Sequence, residues 1–171
     1  FTGKPVIAAH RLAANKIQLQ DEFVMFKKYL DAPAKPFFAE IWLESDMLFD
    51  FGNYRLRIIH TPGHSSGCIC LYEPDQRLLF TGDTVLAGGV LSGIYTSGNI
   101  SDYVNSIERL KELKVDEFYP GHGPISKNPI EDLEKADQDA KALLRDSKIL
   151  FETLDTKASF IRAFAAVKKM S

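Results

Sequence analysis

Apolar and polar residues alternate along 54–83, whereas from residue 101 apolar residues recur every three or four positions, so the pattern predicts strands first and helices later. KPVIAAH (4–10) reads as a short strand. QLQDEFVMFKKYLDAP (18–33) has helical spacing at Phe23, Phe26 and Leu30 and stops at Pro33. FAEIWLES and DMLFDFG are strand or hairpin candidates. YRLRIIHTPGH (54–64), GCICLYE (67–73) and RLLFTGD (77–83) form further strands, the last two joined by a turn at EPDQ. Four glycines between Leu86 and Asn99 predict a long loop.

Ser101 is the expected N-cap of a helix whose stripe is Val104, Ile107, Leu110 and Leu113. VDEFYPGHG is a short strand running into a glycine-rich corner. Asn128–Pro129 then opens a long helix to about residue 150, with Ile130, Leu133, Ala140 and Leu144 on one face. A final helix, about 156–169, carries Phe160, Ile161, Phe164 and Val167 and ends in Lys168 and Lys169. No internal repeat or interdomain linker interrupts the pattern, so 1–171 is expected to be a single domain with C-terminal helices over about 128–169.

Composition narrows the class. In 171 residues, 45% hydrophobic and 26% charged, there is enough apolar material for one core. A net charge of -2 and a pI near 6.1 supply no basic field for nucleic acid. No apolar run approaches the roughly 20 residues of a membrane span. Cys68 and Cys70, two apart in an alternating strand, are not a C-x-x-C pair; they are expected to be buried, reduced thiols facing the same way, which fits a cytoplasmic location. Phe1 opens the chain without a methionine, so a signal peptide is neither seen nor excluded.

Three strand ends share one pattern: TPGH (61–64), FTGD (80–83) and YPGH (119–122) each run from an extended segment through glycine to His64, Asp83 or His122. A glycine lets the backbone turn sharply just before the donor, so side chains from separate strands converge. Imidazole and carboxylate are ligands of zinc, iron and manganese. For an isolated TPGH, an ordinary loop histidine is an equal reading; the repetition favours ligands. His10 and His60 are expected to play structural or supporting roles. Ser65, Ser66 and the 86–99 loop border this region, where substrate contact and turn formation are both open readings. HTPGH is no helical H-E-x-x-H motif, because Pro62 and Gly63 forbid a regular helix, and no G-x-S-x-G nucleophile elbow is present.

HTPGHSSG, LLFTGDTV, FYPGHGPI and the helix SDYVNSIERLKEL together resemble the metallo-β-lactamase superfamily, and most closely its glyoxalase II-like hydrolases. The resemblance implies an α/β (α+β) fold, an αββα sandwich around two metal ions, with His64 on one metal, His122 on the other and Asp83 bridging them as the catalytic carboxylate. The family's His-x-His-x-Asp-His signature is missing. The chain is therefore expected to be N-terminally incomplete, the C-terminal two-thirds of a larger hydrolase, with inactivity alone and association with a second copy or with its missing part.

The implied chemistry is hydrolysis of an ester, thioester or related carbonyl compound by metal-bound hydroxide, with zinc first and iron or manganese as alternatives. A small-molecule substrate is expected, and no nucleic-acid or membrane partner. Iron-dependent sulfur dioxygenases and flavodiiron proteins use related scaffolds and give a second reading. A non-catalytic assembly module gives a third.

Overall fold

The computed structural model describes residues 5–19 and 37–153. The alternating region forms the centre of a five-stranded sheet. Within it, β4 (Arg55–His60), β5 (Ile69–Glu73) and β6 (Leu78–Gly82) are antiparallel neighbours, with β3 (Leu48–Asp50) antiparallel on the β4 edge. The other edge, β7 (Glu117–Pro120), runs parallel to β6. Two further strands, β1 (Ala8–His10) and β2 (Ile41–Leu43), form a separate parallel pair.

Helix α1 (Arg11–Gln18) follows β1 directly; α2 (Ile100–Lys111) and α3 (Pro129–Thr153) pack on one face of the large sheet. By alternation, that face presents Ile59, Cys70, Tyr72, Leu79 and Phe118. These pack into one core with Val104, Ile107, Leu110, Leu133, Ala136 and Ala140 from the two helices. The opposite face carries Ile58, Leu71, Phe80 and Tyr119. There Phe80 is 39% exposed, and its ring stacks on Tyr119 with centroids 5.2 Å apart.

Several sequence expectations change. The strand begins at Ala8 rather than Lys4, and α1 is not among the predicted helices, because the eight residues of RLAANKIQ are too few to establish a helical period. FAEIWLES and DMLFDFG do not pair with each other: β2 joins β1 and β3 joins β4, with Asp46 at φ 68° turning the chain between them. The α2 N-cap is Asn99, not Ser101; its Oδ1 accepts from the Asp102 N–H at 2.8 Å. Ile130 is 80% exposed and leaves the α3 stripe, where Ala136 takes part instead. Cys70 is buried, and burial pushes its thiol up to about 11. Cys68 lies in the turn before β5 and is only half-buried. Both cysteines are free.

The predicted helices at 18–33 and 156–169 lie almost wholly outside the described residues. No described helix is long and apolar enough to cross a membrane.

Candidate functional site

The turn carrying His64 is held from below. Thr61, fully buried, puts its hydroxyl 3.0 Å from that of Thr84 and 3.4 Å from Cys70 Sγ, and Ser106 Oγ donates to Pro62 O at 2.6 Å. Gly63 has φ 151°, and a Cβ there would lie 2.6 Å from Tyr103 Cγ, so both conformation and space demand glycine. Gly82, at φ 52°, has nothing closer to a virtual Cβ than Ile69 O at 3.8 Å; its task is conformational. Gly121 departs from the expected pattern. It is not among the residues with positive φ, but a Cβ there would sit 2.7 Å from Asp83 Oδ1. It makes room rather than a bend.

The parallel β6–β7 pair brings the last two corners together, and the Gly121 N–H donates to Gly82 O at 2.7 Å. Asp83 then lies between two imidazoles: His64 Nε2 is 3.7 Å from Oδ2, and His122 Nε2 is 3.4 Å from Oδ1. His64 and Asp83 are 14% and 34% exposed, and His122 is 77% exposed. His64 Nδ1 donates to Gly93 O at 2.5 Å, which in the neutral ring leaves Nε2 as an acceptor facing a carboxylate. Asp83 Oδ1 is buried without a hydrogen-bond donor. Two acceptors facing each other and an orphaned carboxylate oxygen are relieved by a cation, and this donor set suits zinc, iron or manganese. The three donors form two pairs that share Asp83; among the described residues, no group of three or more His, Cys, Asp or Glu closes on a single point.

These side chains open into a cavity of about 530 Å³ whose other wall is the 92–97 segment. The Tyr95 ring meets His64 edge-on at 4.7 Å, and its N–H donates to His64 O at 2.9 Å. Ser65 lines the cavity. Ser66 turns toward α1 instead: its N–H donates to Ser97 Oγ, and its own hydroxyl accepts from Lys16 Nζ at 3.0 Å. Tyr103 was read from sequence only as part of a helix. Its hydroxyl donates to Thr84 O at 2.6 Å and accepts from the Ser92 N–H at 3.2 Å, linking the Asp83 corner to the cavity wall. No residue-type signal marks Gly93, because a carbonyl acceptor can come from any residue.

His10 and His60 lie outside the cavity and stack on each other, 3.8 Å apart and 10° from parallel. His10, 2% exposed, caps α1 by accepting the Leu12 N–H at its Nδ1; burial and then His60 lower its pKa from the usual histidine value. His60 Nε2 donates to Ser66 O at 2.9 Å. The pair braces the turn from behind.

Residues 2–122 match the family profile described as the metallo-beta-lactamase superfamily. The chain belongs to this superfamily. Among its curated relatives, the acyl-coenzyme A thioesterase MBLAC2 of Homo sapiens is 40% identical over 84 residues, covering 47% of this chain and 30% of that protein. A hydroxyacylglutathione hydrolase of Brucella abortus is 40% identical over 75 residues, 43% of this chain and 28% of the relative. The chain thus matches less than a third of the length of either. The solved structure of TTHA1623 in a di-iron-bound form superposes with a TM-score of 0.61 at 26% identity, over 74% of this chain and 61% of that one. The α/β class and superfamily expected from the corner motifs hold, and the named relatives are hydrolases.

Proposed function

We propose that this chain carries part of the active site of a metal-dependent thioester hydrolase. The observation that carries this reading is the placing of the two Asp83 oxygens against different imidazoles, His64 and His122, at the floor of an open cavity. The names of two relatives, a coenzyme A thioesterase and a hydroxyacylglutathione hydrolase, support a thioester as the bond cleaved.

His64 and His122 would each offer Nε2 to a cation, and Asp83 would help hold both and neutralise charge between them. A metal held there would supply hydroxide near neutral pH and a Lewis acid for a carbonyl oxygen. Gly93 O keeps the His64 proton on Nδ1, so that Nε2 remains a donor to metal. The 92–97 segment walls the site on one side. Zinc is the first choice; iron is a second reading, favoured by the di-iron form of TTHA1623. Three donors shared between two positions give each cation fewer than the three protein ligands of a catalytic zinc, so this reading places further ligands outside the described residues. A cytoplasmic setting, consistent with free cysteines, belongs to the same proposal.

The test is turnover of an acyl-coenzyme A and an acylglutathione, with zinc, iron(II) or manganese. A longer protein that includes His-x-His-x-Asp-His is expected to hydrolyse at least one, with loss on Asp83→Ala; residues 1–171 alone are expected to be silent. Metal-dependent turnover by 1–171 alone would show that the site is completed from within this chain. Silence of the longer, metal-loaded protein toward every thioester would overturn the reading.

A further inference from the structure

The segment that walls the cavity is anchored far from the cavity. Its root is the Leu86–Val90 turn, closed by a 2.9 Å bond from the Leu86 N–H to Val90 O and pinned to the start of α3. There the Gly88 N–H donates to Asp132 Oδ2 at 2.9 Å, and Gly88 O accepts from Lys135 Nζ at 2.7 Å. Gly89, at φ 67°, approaches the helix so closely that a Cβ would lie 2.6 Å from Asp132 O. The same Asp132 Oδ2 accepts a second bond, from Ser126 Oγ at 2.6 Å. Ser126 is 3% exposed and exchanges both backbone bonds with Phe118, closing the turn that carries His122. A single carboxylate oxygen on α3 thus ties the segment that brings Gly93 and Tyr95 to His64 to the turn that presents His122.

We infer that Asp132 is a positioning residue for the candidate site, fixing the His64 tautomer through Gly88 and the place of His122 through Ser126. The inference rests on the reading of these histidines as metal donors. A carboxylate in the first turn of a helix also favours that helix by its charge alone, and that role would change stability without reaching the imidazoles. Groups that orient metal-binding histidines typically contribute 10- to 100-fold to metal affinity, which sets the size of the effect.

The test uses the 171-residue chain, labelled with 15N in its histidine rings and observed at a pH where the imidazoles are neutral, together with zinc titration. In the unaltered chain, His64 is expected to show one tautomer, with the proton on Nδ1. Asp132→Ala should mix the two tautomers and weaken zinc binding roughly 10- to 100-fold. Asp132→Asn keeps an oxygen that accepts both bonds and should restore the single tautomer. Ser126→Ala should disturb His122 and spare His64. Leu133→Ala, a core truncation one residue along α3, should lower the melting temperature and leave the tautomer alone. An unchanged His64 signal in Asp132→Ala, or mixing in Leu133→Ala as well, would overturn the inference. If Asp132→Ala does not fold, Ser126→Ala decides: an unmoved His122 signal counts against it. An unaltered chain that takes up no zinc would agree with further ligands lying outside the described residues, and the tautomer measurements alone would then decide the role of Asp132.

Discussion

Gly121 shows how much a missing side chain can do. A methyl group at this position would meet Asp83 Oδ1 at 2.7 Å and the Gly82 carbonyl carbon at 3.2 Å; the carboxylate has to swing aside, while the backbone is held by the bond from the Gly121 N–H to Gly82 O. Gly121→Ala is expected to cost about 1–3 kcal/mol, as overpacking does, and to push the Asp83 carboxylate away from His122. Denaturant unfolding measures the first effect and zinc titration the second; a variant as stable as the parent would show that the corner opens freely. At this scale the convergence of His64, Asp83 and His122 was legible, since a glycine followed by a donor at three strand ends leaves a mark in the residue types. The separate tasks of the three glycines were not legible, because bending and making room select the same residue. Gly93 and Asp132 were hidden for related reasons: one acts through its carbonyl, and the other looks like any acidic residue in the first turn of a helix.

The packing of α2 on α3 was readable as two apolar stripes, except where a charge sits among them. Asp137 falls on the buried face of α3 with Ala136 and Ala140 and is 4% exposed, but Lys111 and Lys141 reach it at 2.7 and 2.9 Å. Burial pushes its carboxyl up, and the two lysine hydrogen bonds more than offset this, holding it below the usual aspartate value. A lowered folded-state pKa stabilises the fold above the unfolded value, near pH 3.9, and that contribution disappears as pH falls through the folded value. Asp137→Asn should therefore lower stability at pH 7 by about 1.5–3 kcal/mol, with the two melting curves converging below about pH 4. A gap that stays constant down to pH 2 would contradict this. Ile130 marks the opposite error: helical spacing placed it in the stripe, but it stands in the first turn of α3, where the core does not reach.

For the molecule as a whole, the strands were legible and their partners were not, because alternation shows which side a residue faces but not which strand lies beside it. The sheet face opposite α2 and α3 leaves Phe80 39% exposed, and the β3 edge leaves Leu48 and Phe51 56% and 65% exposed. We expect this surface to pair with a second copy or with a further part of the protein, since open apolar sheet faces and edges drive association. Light scattering of the 171-residue chain should show dimers or larger species; a monomer over a wide concentration range would argue against it. Parallel neighbours such as β6 and β7 cannot be joined by a tight turn, so the chain between Asp83 and His122, 39 positions apart, must make a long crossover. That crossover includes both the cavity wall and α2. Closure entropy rises only logarithmically with length, by about 0.6 kcal/mol for each doubling. Descendants of this sequence are therefore free to lengthen the tip of the wall and reshape the cavity, while the Gly121–Gly82 hydrogen bond keeps the two strand ends in place.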